Sequence, residues 1–219
     1  MKLTVHTFLT LDGVMQGPGA VDEDPTGGFD RGGWLVPYGD EDMGEIVDSW
    51  FAEAEAILLG RTTYDMMHAY WTQVTDPDNV VAVALNGLPK FVVSSTLHDP
   101  EWRGTTVLTG DAVKEIGRLK ERPGGELQVH GSCELARSLH EAGLVDEYRL
   151  LVFPVCVGAG KRLFTDSAPA TGFRLVTSRT TSTGAMYSAL TPIPFTVGGI
   201  EVVDGKDTFV RDVAAEGMV

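Results

Sequence analysis

A chain of 219 residues, 43% hydrophobic and 22% charged, has the composition of a globular protein, and its length fits one domain or one domain with an appendage. The formal net charge of -14 disfavours nucleic acids and anionic membrane surfaces as partners, because both are negatively charged. Two isolated cysteines, no signal-peptide pattern and no apolar run long enough to span a bilayer predict a cytoplasmic protein.

Strands and helices alternate through the first two thirds of the sequence. Alternating residues from Leu3 to Leu9 predict a buried first strand, which stops at the Asp12-Gly13 turn. The glycine-rich stretch 17–39 predicts a long loop, and Asp40 can cap a helix whose apolar stripe runs from Met43 to Ala54. The next predicted elements are a strand over 56–59, a helix around 64–69, strands over 90–94 and 105–108, a helix capped by Asp111, a strand over 126–130, a helix ending at Gly143 and a strand over 147–155.

The last part of the sequence predicts strands without intervening helices, at 173–177 and 185–190. Alternating strands and helices predict a mainly parallel twisted sheet with helices on both faces, and the terminal strands predict an antiparallel C-terminal edge. The predicted fold class is therefore α/β. We expect one domain over 1–191 and a C-terminal extension over 192–219.

Three predicted strands end in glycine or hydroxyl residues of the kind that bind phosphate. Gly60-Arg61-Thr62-Thr63 and Gly131-Ser132-Cys133-Glu134-Leu135 each join a strand to a helix, where backbone N–H groups and side-chain donors can hold an anion. Ser94-Ser95 ends a third strand. Each motif alone is also compatible with ordinary helix capping. Together they occupy carboxyl strand ends, where doubly wound sheets bind ligands.

Other nucleotide and catalytic motifs are absent from the sequence. Gly158-Ala159-Gly160-Lys161 is not a P-loop, because Val155 and Arg162 stand where a glycine and a Ser or Thr are required. No G-x-G-x-x-G follows a strand, and no G-x-S-x-G occurs. The five histidines lack the spacing of metal ligands, so we expect no metal site.

The order of these motifs resembles the dihydrofolate-reductase-like superfamily. Within it, the chain is most similar to stand-alone proteins that resemble the reductase domain of the bifunctional riboflavin-biosynthesis deaminase–reductase. The resemblance runs from about residue 1 to residue 190. It rests on the stretches Leu11–Val14, Leu59–Tyr64, Leu85–Ser94, Val129–Ser132 and, most specifically, Asp146–Val155 with Gly158–Phe164.

This resemblance implies an NADPH-dependent oxidoreductase that binds its cofactor across the carboxyl ends of the sheet and pairs as a homodimer. It places Gly60, Arg61, Thr62 and Thr63 at the cofactor phosphates, with Arg61 at the 2′-phosphate, Ser94 and Ser95 by the adenosine half, and Gly131, Ser132, Cys133, Glu134 and Leu135 beside the pyrophosphate and nicotinamide.

Two features depart from the family pattern. Dihydrofolate reductases carry an acidic residue early in the first helix, but the position 17 residues before Arg61 is Gly44, with Asp42 and Glu45 nearby. The H-x-E and P-C-x-x-C pair of the riboflavin enzyme's zinc-dependent deaminase domain is also missing, so at most the reductase half is present.

The resulting hypothesis is hydride transfer from NADPH to a small heterocyclic or carbonyl-bearing substrate. The 17–39 loop would cover that substrate, with Trp34 and Tyr38 as stacking surfaces. Asp12 and, as the weaker choice, Asp48 are the candidate catalytic carboxylates, and an ordered water is an alternative proton source.

Two other functions stay open at this point. One is a nucleotide-binding protein of the same fold without catalytic activity. The other is a riboflavin-pathway reductase acting on a pyrimidine ribosyl-phosphate, which would need a second phosphate site. Lys161 and Arg162 are the only clustered cations for that site, and a surface turn is the alternative place for them.

Overall fold

The computed structural model describes residues 1–211, which form one eight-stranded sheet, five α-helices and a separate two-stranded sheet. The strands are β1 (Lys2–Thr10), β2 (Ala54–Gly60), β3 (Lys90–Val93), β4 (Thr105–Leu108), β5 (Glu126–His130), β6 (Glu147–Phe153), β7 (Thr171–Thr180), β8 (Met186–Pro194), β9 (Gly198–Val203) and β10 (Lys206–Arg211). The helices are α1 (Glu41–Ala52), α2 (Arg61–Trp71), α3 (Val80–Gly87), α4 (Ala112–Lys120) and α5 (Cys133–Glu141). None of these helices is both long enough and apolar enough to cross a bilayer.

The large sheet has the strand order β4-β3-β2-β5-β1-β6-β8-β7. The first six strands of that order pair in parallel, while β8 and β7 are antiparallel. Helices α4 and α5 pack on one face of the sheet, and α1, α2 and α3 pack on the other. The predicted α/β class, with its mainly parallel sheet and antiparallel C-terminal edge, is confirmed. Since all the parallel strands point the same way, their carboxyl ends lie at one edge of the sheet.

Helix α3 was not predicted from the sequence. Its apolar residues show little segregation to one side, and a valine-rich segment of this length is equally typical of a strand. The helix forms because the Asn79 side chain caps its start, while the buried Lys90 ammonium donates to the carbonyls of Leu85 and Leu88 at its end.

A buried row of polar side chains lies between the sheet and α1. The polar row comprises Thr4 and His6 of β1, Glu126, Gln128 and His130 of β5, and Glu147 and Arg149 of β6. These side chains share one face because alternate residues of a strand point the same way. Gln128 Nε2 donates to the Trp50 carbonyl at 2.7 Å and so ties α1 to the sheet. The row therefore specifies how α1 docks.

The two histidines of the polar row stack on each other, with ring centroids 4.9 Å apart. Burial, followed by the positive charge of Arg149, lowers the pKa of His130 to about 3. Burial, with His130 and Arg149 as further causes, also holds the pKa of His6 well below its ordinary value. Both rings are therefore neutral in the folded protein at neutral pH.

Acidification should destabilise the protein through these two histidines. In the unfolded chain they take up protons near pH 6.5, whereas in the folded protein His130 does so only near pH 3. The unfolded state thus binds more protons between these values, and the free energy of unfolding should fall as pH is lowered, by up to about 1.4 kcal/mol per pH unit for each histidine. Urea unfolding at pH 7, 6 and 5 measures this slope.

The variant His130→Gln should have a smaller slope, because one titrating ring is gone, while His98→Gln, at an exposed position, should keep the full slope. Equal slopes in the native protein and both variants would show that the stacked rings do not carry the pH dependence.

Candidate active site

Two strand-to-helix junctions meet at the carboxyl edge of the sheet. Strand β2 leads into α2 at Gly60, and the neighbouring strand β5 leads into α5 at Gly131-Ser132. The Ser132 hydroxyl accepts a hydrogen bond from the Gly60 N–H at 2.9 Å, and the Ser132 N–H donates to Thr63 Oγ1 at 3.1 Å. Two motifs that are 72 positions apart in the chain are thereby joined into one surface, which we call the junction pair.

The backbone at the β5–α5 junction is in an unusual conformation. Gly131 and Ser132 both have left-handed φ angles, of 58° and 53°. Ser132 is one of only two non-glycine residues with positive φ among the described residues, and such a conformation costs free energy. At Gly131 an added Cβ would contact the Thr63 side chain at 3.5 Å. This backbone conformation directs the start of α5 toward the start of α2, where the Ser132 N–H donates to Thr63.

Helices α2 and α5 begin without a capping side chain. Asp40, Asn79 and Asp111 cap α1, α3 and α4, each accepting from a backbone N–H in the first turn. At the starts of α2 and α5, the N-cap residues Gly60 and Ser132 make no such side-chain bond. In the part of the chain that the structure describes, the first N–H groups of these two neighbouring helices are therefore suited to bind an anionic acceptor.

Arg61 and Thr62 lie in the first turn of α2. The Arg61 Nε donates to both carboxylate oxygens of Asp65, at 2.9 and 2.7 Å, so the guanidinium lies along its own helix. Thr62 is exposed beside it. Both residues border the junction pair, but Arg61 is already paired with an acid.

Ser94 and Ser95 follow β3, the strand next to β2. Val93 pairs in register with Gly60, so this strand end adjoins the junction pair. The buried Ser94 hydroxyl accepts from the backbone N–H groups of Thr96 and Leu97, at 3.2 and 3.1 Å, and so stabilises the turn itself. Ser95 is exposed at the same edge.

The first turn of α5 contains the other three predicted cofactor residues. The Cys133 thiol donates to the Arg162 carbonyl at 3.3 Å, and burial raises its pKa. Glu134 is exposed, and Leu135 is buried against the sheet, near Gly60. Leu135 therefore packs in the core beneath the β2–α2 junction and does not face solvent.

Asp12 holds a turn in place. Its carboxylate accepts from Thr10 Oγ1 at 2.6 Å and from the backbone N–H groups of Val157 and Gly158, and it pairs with Arg162 at 3.4 Å. These hydrogen bonds outweigh the opposing effect of desolvation and lower the pKa of Asp12 to about 2. At neutral pH the group is therefore a carboxylate, and its hydrogen bonds stabilise the turn after β1.

Asp48 is exposed on α1. Asp42 and Glu45, the acids nearest to the position of the dihydrofolate-reductase carboxylate at Gly44, are engaged in ion pairs. Arg179 of β7 forms ion pairs with Asp42 and Glu45, and the Ser182 N–H also donates to Asp42 at 2.8 Å. These contacts fasten the β7–β8 turn to the start of α1 and leave neither acid as a counterpart of the dihydrofolate-reductase carboxylate.

The loop 17–39 is fixed by Gln16 and Trp34. Trp34 is buried, and its indole N–H donates to the Gln16 carbonyl at 2.8 Å. The Gln16 side chain donates to the carbonyls of Asp24 and Thr26, at 2.9 Å each, and accepts from the Lys161 N–H at 3.0 Å. This geometry places Trp34 in the core, where its ring packs edge-on against Phe153, rather than on a stacking surface.

Tyr38 is half-buried at the end of the same loop, and its hydroxyl donates to the Pro154 carbonyl at 3.3 Å. Sequence reasoning missed the connections made by the segment after β6. Lys161 pairs with Asp24 at 2.7 Å, and the Arg162 carbonyl accepts from Cys133 and from Arg137. Residues 154–162 therefore link β1, the loop and α5, which the Gly158-x-Gly160 pattern alone did not show.

The RibD C-terminal domain family model matches residues 1–187. The chain belongs to this family. The uncharacterized protein YyaP of Bacillus subtilis (strain 168) is 29% identical over 188 residues, which cover 84% of this chain and 92% of YyaP. The match confirms the resemblance to the reductase domain.

Solved structures agree with this assignment. A putative riboflavin biosynthesis protein from Shewanella sp. PV-4 is 19% identical, with a TM-score of 0.63 and coverage of 89% of this chain and 100% of that chain. Dihydrofolate reductase from Enterococcus faecalis, complexed with NADP(H) and RAB-propyl, is 15% identical, with a TM-score of 0.54 and coverage of 87% and 96%. At these identities the likeness shows the fold, which is shared by this RibD C-terminal domain protein and dihydrofolate reductase.

Replacing Ser132 by Ala should destabilise the junction pair. The substitution removes the acceptor of the Gly60 N–H, and an unsatisfied, half-buried donor costs about 1–2 kcal/mol of the free energy of unfolding. Chemical denaturation measures the change. Ser138→Ala is the matched control, because that serine is exposed on the same helix and bonds only to the carbonyl of Glu134 within it. Equal stability of the two variants would contradict the role of the Ser132 hydroxyl.

Proposed function

We propose that this RibD C-terminal domain protein is an NADPH-dependent reductase. The observation that carries the proposal is the pair of uncapped helix starts at neighbouring strand ends, joined by Ser132. Their N–H groups and helix dipoles together form an anion site that suits a pyrophosphate. The likeness of the fold to a dihydrofolate reductase complexed with NADP(H) supports a cofactor of this type.

Each part of the junction pair has a role in this proposal. The backbone N–H groups after Gly60 and Ser132 would bind phosphate oxygens, and the absence of side chains at Gly60 and Gly131 lets the two junctions lie close together. Ser95 would contact the adenosine half. When bound, the cofactor supplies hydride, and the protein contributes orientation and exclusion of water.

The substrate side of the site is defined by fewer groups. We propose a small heterocyclic or carbonyl-bearing substrate next to Tyr38, which is half-buried between the 17–39 loop and Pro154. The proton would come from an ordered water, and Asp48, exposed on α1, would be the weaker candidate for contacting the substrate. Dihydrofolate is not proposed, since Arg179 engages both Asp42 and Glu45.

Two observations bear on the alternatives. Lys161 and Arg162 are paired with Asp24 and Asp12, so a second phosphate site for a pyrimidine ribosyl-phosphate would require both cations to exchange these acids for the phosphate. A nucleotide-binding protein without catalysis would retain the junction pair and so remains the second candidate. For either function we propose a cytoplasmic location.

A titration with NADPH, in which binding is monitored by nicotinamide fluorescence, is the first test of the proposal. We expect saturable binding at tens of micromolar or below, and a loss of that binding in a Gly131→Val variant, because a β-branched residue is strained at the positive φ of 58° and would distort the junction. No binding to the native protein at these concentrations would overturn the reductase assignment. Nicotinamide absorbance with carbonyl-bearing heterocycles then separates a reductase from a protein that only binds the cofactor.

Arg61 should determine the preference for NADPH over NADH. In this proposal its guanidinium exchanges Asp65 for the 2′-phosphate, so Arg61→Ala should weaken NADPH binding about tenfold and leave NADH binding nearly unchanged. Asp65→Asn should strengthen NADPH binding, because the competing acid is removed. Isothermal titration calorimetry with both nucleotides measures these affinities.

The control for this prediction is Arg118→Ala, since Arg118 is an exposed arginine on α4, away from the junction pair. An Arg61→Ala variant that weakens NADPH and NADH equally would remove Arg61 from the 2′-phosphate and leave the rest of the proposed site standing.

A further inference from the structure

The ion pair between Lys161 and Asp24 lies beside the start of α5. The Lys161 ammonium donates to Asp24 Oδ2 at 2.7 Å, and the two side chains are 33% and 14% exposed. The carbonyl of the next residue, Arg162, is 3.3 Å from the Cys133 thiol in the first turn of α5. Burial raises the pKa of Cys133, and the nearby charge of Lys161 lowers it while that of Asp24 raises it further. The ion pair therefore connects the 17–39 loop to the α5 half of the junction pair.

A phosphate at the start of α5 needs a cation beside it. It would meet two acids there, because the charges of Glu134 and Asp24 both act on this turn. The net charge of the whole chain, -14, also repels an anion. Hydrogen bonds from a charged donor to phosphate are stronger than those from neutral N–H groups. At the start of α2 the cation is Arg61, and the start of α5 requires one of its own.

Lys161 suits this role better than the two arginines near it. Arg137 donates through Nε to the Arg162 carbonyl at 2.8 Å, and Arg162 donates to two backbone carbonyls of neighbouring turns, at 2.8 and 3.0 Å. Both guanidinium groups therefore hold the backbone in place. Among residues 1–211, the Lys161 ammonium has one hydrogen-bond partner, Asp24. Its compact charge on a flexible stem can move without disturbing the turn.

Asp24 keeps other hydrogen bonds when Lys161 leaves it. Its carboxylate also accepts from the Thr26 N–H at 3.2 Å and from the Thr26 hydroxyl at 2.5 Å. A partly exposed ion pair contributes little to stability, so the exchange of one acidic partner for another costs little. Arg61 and Asp65 form the equivalent pair at the start of α2.

We propose that Lys161 binds the pyrophosphate of the cofactor at the start of α5, exchanging Asp24 for a phosphate oxygen. The inference rests on the proposed function, because it requires an anion at the junction pair. It also couples the two sides of the site, since one ammonium cannot serve both partners at once. Phosphate binding removes one tie of the 17–39 loop, and by reciprocity a tied loop opposes phosphate binding.

Isothermal titration calorimetry of the full chain with NADPH and NADH tests the role of Lys161. Lys161→Met should weaken the binding of both nucleotides about tenfold, because both contain the pyrophosphate, whereas a group at the 2′-phosphate affects NADPH alone. Asp24→Asn should strengthen the binding of both about threefold, because the competing charge is removed.

The matched control is Lys114→Met, because Lys114 is an exposed lysine that pairs with Asp111 on α4. This variant should bind both nucleotides as the native protein does, and circular dichroism establishes that every variant is folded. Native affinities in Lys161→Met, or weaker binding in Asp24→Asn, would contradict the exchange.

Ribose 5-phosphate separates the cofactor from a substrate as the source of the phosphate. Lys161→Met should leave the response of the NADPH-loaded protein to ribose 5-phosphate unchanged. A variant that loses ribose 5-phosphate but keeps NADPH would show that the lysine serves a substrate phosphate, and the proposal would be wrong. If the native protein binds neither nucleotide, the proposed function fails. Titration of the native and Lys161→Met proteins with inorganic pyrophosphate then tests the lysine separately, and equal affinities would exclude it from the anion site.

Hydrogen–deuterium exchange followed by mass spectrometry tests the coupling to the 17–39 loop. Saturating NADPH should speed the exchange of backbone amides around Asp24 about threefold or more in the native protein, because Lys161 no longer holds that residue. In Asp24→Asn the exchange should already be fast, and NADPH should change it little. Exchange that slows equally in both proteins when NADPH is added would show that phosphate does not displace Asp24.

Discussion

The hydroxyl of Ser132 is the interaction on which the geometry of the candidate site depends. It accepts the N–H of Gly60, while its own N–H donates to Thr63, so two helices that are distant in sequence begin side by side. Among residues 1–211, neither helix start receives a capping bond from the side chain of its N-cap residue. The protein thus concentrates N–H groups at a single place, and the cost of the left-handed backbone at Ser132 is offset by these bonds.

The polar row performs a different task on the same sheet. The face under α4 and α5 is apolar, whereas the face under α1 carries stacked histidines, an ion-paired arginine and a glutamine bound to the Trp50 carbonyl. Directional contacts of this kind specify one position of α1 on the sheet, where a uniform apolar surface would tolerate several. The start of α1 is fixed separately, by Arg179 and the β7–β8 turn. Together the two sets of contacts fix the position of α1 on the sheet.

Much of this architecture could be predicted from the sequence, since its signals were local. Asp40 and Asp111 predicted the starts of two helices, and alternating polar and apolar residues predicted strands β1 and β5. Helix α3 was missed because its valine-rich pattern does not segregate to one face, and its stability comes from Lys90, which lies beyond the helix.

The sequence predicted where the two strand-to-helix junctions lie, but it did not predict which partners their side chains contact. Carboxyl strand ends identified the junctions at Gly60 and Gly131, since position in a parallel sheet follows from strand direction. The Ser132–Gly60 bond, the Asp12 contact with Gly158 and the burial of Trp34 depend on long-range packing. A sequence pattern carries no information about such partners. The binding roles assigned to the junction residues stay predictions until a ligand is bound.

The position of Gln16 has a consequence for how molecules would enter and leave. Its backbone carbonyl and side chain fix the loop at Trp34, Asp24 and Thr26, while Asp40 fastens the end of that loop to Ser182 and Thr183. A segment tied at several points cannot swing as a hinged flap. Displacing this segment would require several of these bonds to break, so any passage of a molecule past it would depend on local unfolding of the loop.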